Sequence, residues 1–539
     1  MKPLFPLQRA SLKAAATTKA IEGGGPGGAI LALAVGSGKT LVGLLVGAVL
    51  KAKKPLYLAP AALLPQLERM RAEAVSEGFN VPPNLLIMSY SALSQAKNSD
   101  FLHTYQPDMI YADECHTLKE RTSARTKRVA RYLEDPDPDS PGANCAFIGA
   151  SGTLLNDDPT TLAHLFAWAL PASTSLLPKD HYTLKAWGRV LGSTGEPPEP
   201  SDWVTVRDLI RASTLPDGHT LQERARNGFA QKIAATPGVV VSPENAVKAS
   251  LRIYTLSDKE VFYPQEIYKK VAATGVRPDG YVFEDDMELW ACLNHLALGF
   301  YYRWKEQPPA EWLLARSDWL RHLRVELQKN SRPTYDSPHL VEKNIEARGS
   351  AHPLYGVYST WRYVEAKFPA PVTEAVRVSP FPIPVLLENQ LRGKKIPTLF
   401  WYQSKEVADA LEAKSRTGDS HAATFPVYRS GDDIDTAQPH TCALSIQSHG
   451  KGLNLQGWSR MVFLEIPGSG LTWEQNIGRV HRTGQLADTV EVLVYLHTPL
   501  RKKSFKNAQA DAKCIQETLS TPQKLCYADI VAGFPVDYL

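Results

Sequence analysis

The chain has few of the residues that fix a protein outside a reducing compartment. Only six of its 539 residues are cysteines. They are spread singly, with no Cys-x-x-Cys pair, which excludes a dense disulfide framework and a structural zinc site of that type. No apolar run reaches the ~18 residues of a membrane span. The opening MKPLFPLQRASLK lacks the apolar core of a secretory signal. The expectation is a cytoplasmic protein with no membrane partner. A dominant charge is missing as well: 60 lysines and arginines face 56 aspartates and glutamates. So small a surplus indicates no polyanion partner, and any nucleic-acid surface must be local. Neither an internal repeat nor a low-complexity block is present.

What remains is a chain long enough for two or more cored domains, with a 43% hydrophobic share. Between residues 29 and 170, short β-rich runs (AILALAV, PLYLAP, LLIMSY, DMIYADE, CAFIGAS) alternate with helical stretches. This pattern predicts an α/β domain with a parallel sheet over 1–170. From 171 to 390 the texture changes to Pro-rich loops, tryptophans and amphipathic segments, read as a largely helical insertion. Strand-like runs return with IPTLFWYQ, CALSIQS, RMVFLEI and VEVLVYL, giving a second α/β domain over 391–500 and a helical tail over 501–539.

The strongest local signal is AVGSGKT, residues 34–40, between an apolar strand and the helical run LVGLLVGAVL. Backbone N–H groups around Gly36, Ser37 and Gly38 can cradle phosphate at a helix N-terminus. Lys39 can neutralise β and γ groups, and Thr40 can hold Mg²⁺. The leading glycine of the usual pattern is replaced by Leu33, and a ligand-free glycine-rich turn is the alternative. IYADECH, residues 110–116, supplies the chemical complement at another strand end. Asp113 would bind Mg²⁺ through its waters, Glu114 would polarise the attacking water, and His116 would link the site to its neighbours. Standing alone, an acidic pair is more often a cap or solvated loop.

With both in place, the chain resembles the superfamily 2 helicases and translocases, in particular the Swi/Snf branch and the compact members encoded in tailed-phage replication modules. LFPLQ (4–8) looks like the adenine-reading Q motif, with Gln8 as reader, and AVGSGKT is similar to motif I. LAPAALLPQ (58–66) resembles motif Ia, MSY (88–90) motif Ib, DECH (113–116) motif II and ASGTLLND (150–157) motif III. LFWYQS (399–404) resembles motif IV, SIQSHGKGLNLQ (445–456) motif V and WEQNIGRVHRTGQ (473–485) motif VI. FAQKIAATPGVVVSPENAVKASLRIYTLSDKEVF looks like the stretch that closes the first lobe, without the family's paired arginines.

The resemblance implies two RecA-like lobes hydrolysing ATP with Mg²⁺ in the cleft between them. It implies translocation along DNA, duplex or forked and without sequence preference, by a monomer working with replication proteins. Arg479 and Arg482 become arginine fingers, projecting together from one helix at i and i+3, with Gln475 placing water and Gly452 near the nucleotide. His116, Ser151, Thr153 and His481 couple the motifs. Ser89, Tyr90, Ser404, Ser445 and His449 contact backbone phosphates, although each also reads as a capping or turn residue. Two basic runs, KERTSARTKRVARYL (119–133) and LRKKSFK (500–506), are further candidates for the track. A nucleotide-switched loader or clamp, a fork or branch-migration helicase, and an RNA-directed helicase are the alternatives.

Overall fold

A computed structural model describes residues 3–533 except 22–26, 34–36, 153, 155–157, 171–173, 175, 194, 242–246, 258, 260, 329–335, 392–395, 417–424, 430–431, 433, 435 and 451–452; for 21, 388–389, 391 and 414–416 it describes the backbone alone. The chain divides into two compact units. The first comprises 1–244, 308–370 and 514–521, and the second 245–307, 371–513 and 522–539.

The first unit is built on β1 (Gly28–Ala32), β2 (Pro55–Ala59), β3 (Leu86–Ser89), β4 (Met109–Asp113), β5 (Ala146–Ser151) and β6 (Val239–Val241). They form one parallel sheet in the order β3-β2-β4-β5-β1-β6. Successive side chains of a strand point to opposite faces, and here both faces are covered. Ile30, Leu56, Leu58, Ile110 and Phe147 enter one core. Leu31, Tyr57, Tyr111 and Ile148 enter another. Two-sided burial explains why these strands read as near-continuous apolar runs.

In the second unit the strands are, in chain order, β7 (Ser250–Leu256), β8 (Phe300–Trp304), β9 (Thr373–Arg377), β10 (Thr398–Tyr402), β11 (Val427–Tyr428), β12 (Cys442–Ser445), β13 (Arg460–Phe463), β14 (Thr489–Tyr495) and β15 (Asp529–Ala532). Seven form a parallel sheet ordered β11-β12-β10-β13-β14-β7-β15, while β8 and β9 make a separate antiparallel pair. The fold is therefore α/β with two helix-flanked parallel sheets of six and seven strands, compatible with two RecA-like lobes. Among the described residues no helix is long and apolar enough to cross a membrane.

The stretch 171–390, read from sequence as one insertion, is shared between the units. Within the segment expected to close the first lobe, β6 ends the first sheet, whereas β7 joins the second, paired to β14 over seven residues from Ser250↔Thr489 to Leu256↔Tyr495. Helices Ala310–Gln328, Pro338–Arg348 and Tyr355–Lys367 form a small body with its own core of Trp312, Trp319, Leu323, Val341, Ile345 and Trp361. Arg316 is exposed and lies 5.5 Å over the Trp312 ring. The tail over 501–539 is helical only in part, because β15 adds to the edge of the second sheet.

Candidate active site

Register brings the first unit's chemical groups to one end of its sheet. Ala32 pairs with Ser151, and Asp113 with Ala150. The carboxyl ends of β1, β4 and β5 therefore finish side by side, the usual place for a ligand in an open parallel sheet. The helix Lys39–Leu50 begins just beyond β1, with Gly38 before it at φ 83°. This is left-handed backbone that suits glycine. The Gln8 amide lies so close that a Cβ on Gly38 would come within 2.2 Å of its Nε2. Gln8 is 4% exposed and accepts from the Phe5 N–H at 2.9 Å. Lys39, in the first helical turn, donates to the Leu33 carbonyl at 3.0 Å. Ser37 is buried and Thr40 half-buried. Gly36 and Thr153 lie outside the described residues.

At the end of β4 the backbone turns sharply. Glu114 is a non-glycine residue at φ 51°, a costly conformation that concentrates at functional sites. The turn lets the Glu114 N–H donate to Asp113 Oδ1 at 3.0 Å, while the Tyr57 hydroxyl donates to Oδ2 at 2.9 Å. Each oxygen keeps a further lone pair, so Asp113 could still serve a hydrated cation. Burial first, and Glu114 second, push the Asp113 carboxyl above its ordinary range, against the pull of Lys39. Burial and the Asp113 charge raise Tyr57, keeping its phenol a donor. Ser151 donates to Glu114 Oε2 at 3.0 Å, and His116 Nδ1 lies 2.9 Å from Ser151 Oγ. The structure thus joins Glu114, His116 and Ser151 in one buried chain.

Sequence reading missed the tyrosines. The Tyr111 hydroxyl donates to the Lys39 carbonyl at 2.8 Å. A Cβ on Gly43 would meet the Tyr57 and Tyr111 rings at 2.5 and 2.4 Å, so a glycine in mid-helix makes room for both. The available signal was a tyrosine in the middle of two apolar strands, since a buried phenol needs an acceptor.

The second unit holds the remaining candidates. Helix Gly470–Val480 carries Gln475 and Arg479, both buried. Arg479 Nε donates to the Gly450 carbonyl at 3.2 Å. The expectation that Arg479 and Arg482 share a helix is corrected. His481 leaves helical geometry at ψ 84°, and Gln485 donates to the carbonyls of Val480 and Trp458 at 3.1 and 2.8 Å, closing the helix end. Arg482 follows the helix, with Nη1 on Asn454 Oδ1 at 2.6 Å and a buried Nε that has no partner among the described residues. The His481 Nε2 lies 2.9 Å from the Ala249 carbonyl. Lys524, in the expected tail, holds the helix from outside the motif. Its Nζ and N–H reach the two Glu474 oxygens, each at 2.7 Å. Gly452 lies outside the described residues.

The expected phosphate contacts divide. Tyr90 is 2% exposed, and its hydroxyl donates to the Asp113 carbonyl. Ser404 hydrogen-bonds Glu465, which also accepts the Gln403 and Ser404 N–H groups at 2.5 and 2.8 Å. Ser89 and Ser445 are helix N-caps, accepting from Ala92 and Ser448. His449 is buried, beside the Asp432 backbone. In the first basic run, Arg128 is spent on structure. It forms a two-bond ion pair with Asp336 at 2.7 and 2.8 Å, both groups 1% exposed, and also binds the Leu93 and Gln95 carbonyls. Arg131 joins Asp336, and Arg125 binds the Thr117 carbonyl.

No protein-family model matches the chain, and no curated protein matches its sequence.

Proposed function

We propose that the chain is a Mg²⁺-dependent ATPase that moves along DNA. The observation that carries the reading is the convergence, at the ends of β1, β4 and β5, of Lys39 at a helix N-terminus with the buried pair Asp113 and Glu114. An ammonium and helix N–H groups beside paired carboxylates suit a polyphosphate and its divalent cation. Mg²⁺, when bound, would neutralise phosphate charge, with Thr40 and Asp113 as its holders. Lys39 would exchange its carbonyl partner for phosphate. Glu114, held by Ser151, would orient a water and take its proton. Arg479 and Arg482 would supply donors to the terminal phosphate, a role that rests on the resemblance of WEQNIGRVHRTGQ to motif VI. Ser89, Ser404, Ser445 and His449 would contact DNA phosphates, a mode without sequence information.

The test is ATP turnover by the purified chain with single-stranded, duplex, forked and RNA cofactors, with strand displacement followed in parallel. Steady turnover that grows with DNA length is expected. Turnover independent of nucleic acid would remove the motor reading, and stoichiometric binding without turnover would favour a loader or clamp.

A further inference from the structure

In the second unit, β8 and β9 pack with helices Gln265–Thr274 and Asp286–Leu296 around a small core that includes Tyr268, Cys292, Leu293 and Leu296. This body carries an open cavity of about 270 Å³ lined by, among others, Tyr281, Phe283, Tyr302, Trp304 and Glu288. Three exposed apolar residues stand close in sequence to these lining residues: Val282 at 65%, Met287 at 72% and Trp290 at 43% exposure. With them come four exposed carboxylates, Glu284, Asp285, Asp286 and Glu288. Glu288 accepts from the Tyr281 hydroxyl and the Glu284 N–H, and Asp285 caps its helix. No described cation pairs with any of the four. The two arginines that line the cavity are already neutralised, Arg277 by Asp279 at 2.7 and 2.9 Å and Arg303 by Glu374 at 2.8 Å.

We infer that this face docks a basic segment of a partner protein, seated by an arginine or lysine side chain in the aromatic cavity. Aromatic faces attract cations through their quadrupole. The chain already uses its rings in this way: the Arg277 guanidinium lies 4.6 Å over Tyr281, and Lys503 lies 5.6 Å over Trp290. The unpaired carboxylates complete the match, since a basic segment neutralises charge that a neutral apolar anchor would leave buried and unpaired. Exposed Met287 and Trp290 provide the adaptable apolar contact for the stem of such a segment. The same carboxylates disfavour nucleic acid, whose phosphates they repel. The inference stands apart from the ATPase reading, because neither the cavity nor its rim includes a residue of the candidate active site.

The experiment titrates the full chain into a fluorescein-labelled amphipathic peptide with leucine on one face and arginine on the other, read by anisotropy. The same peptide with glutamate for arginine, and a labelled single-stranded oligonucleotide, form two further arms. The arginine peptide binds and the glutamate peptide does not. Trp304→Leu keeps apolar bulk but removes the ring, and weakens peptide binding about fivefold. Glu284→Gln with Asp286→Asn weakens it similarly and flattens its salt dependence, with melting temperature unchanged in both variants. Equal peptide affinity in both variants, or equal binding of the glutamate peptide, overturns the inference. Loss of oligonucleotide binding in Trp304→Leu overturns it too, by assigning the cavity to a base.

Discussion

The acidic group at the end of β4 and the arginines around helix Gly470–Val480 are both set in buried surroundings, and they are held in opposite ways. Asp113 and Glu114 are closed from within their own sheet, by Tyr57 from β2, by Ser151 from β5 and by a strained turn. Arg479 is anchored by Nε to a backbone carbonyl. Arg482 is tied at one end to Asn454 and keeps a buried Nε with no partner among the described residues. A buried polar group without a partner is costly. The acids form a finished constellation, and Arg482 retains hydrogen-bonding capacity for a ligand. Substitutions that remove the acids' hydrogen bonds should therefore change local structure and chemistry together, while substitution of Arg482 should change chemistry alone.

The largest effect expected from this contrast is at Arg482. Arg482→Ala leaves ATP binding in place and lowers hydrolysis by about 10³-fold or more, the scale of arginine fingers. Its melting temperature stays close to the parent's, because one partly exposed contact to Asn454 is lost. Arg482→Lys restores little, since an ammonium lacks the planar fork. Nucleotide affinity, DNA-stimulated turnover and thermal melting on each variant decide the matter. Unchanged turnover, or a loss accompanied by a large drop in melting temperature, would return Arg482 to a structural role.

Glu114→Gln comes next, with hydrolysis slowed about 10²–10⁴-fold as expected for loss of a general base. The amide oxygen can still accept from Ser151, so ATP and DNA should bind normally. A collapse of nucleotide affinity in this variant would make Glu114 a structural residue rather than the base.

The contrast also marks what the sequence made legible. The runs AILALAV, PLYLAP, DMIYADE and CAFIGAS each overlap a strand of the first sheet, because two-sided burial demands continuous apolar residues. GSGKT and DE stood out because phosphate and metal chemistry would restrict residue type at fixed offsets from a strand end, and Lys39, Asp113 and Glu114 do lie at such ends. Sheet membership was hidden: Ser250–Leu256 has the pattern of a strand, but nothing in that pattern says it pairs with β14 rather than β6. Arg482 was misplaced on a helix because i, i+3 spacing looks helical until Gln485 is seen closing the helix end. A short motif such as MSY could not reveal that the Tyr90 hydroxyl points back to the Asp113 carbonyl. Arg128 looked like part of a basic face until Asp336, 208 positions away, supplied its partner.

The smallest expected effect tests whether the acidic constellation is as closed as its hydrogen bonds indicate. Tyr57→Phe removes one hydroxyl and nothing else, deleting the donor to Asp113 Oδ2. The Tyr57 ring is fully buried beside Tyr111, with centroids 4.8 Å apart, and phenylalanine preserves that packing. A hydrogen bond to a buried charged group contributes about 1.5–3 kcal/mol, so stability should fall by roughly that amount in denaturant unfolding. The effect on turnover should be confined to the metal. Asp113 loses one of the two donors that fix its orientation, so the Mg²⁺ concentration for half-maximal ATPase should rise severalfold while turnover at saturating Mg²⁺ recovers. Glu114→Gln, by comparison, should not be rescued by any Mg²⁺ concentration, because its defect lies in moving a proton. If Tyr57→Phe changed neither unfolding nor Mg²⁺ dependence, Asp113 would be held by the Glu114 turn alone, and the tyrosine would be core packing whose hydroxyl merely found the nearest acceptor.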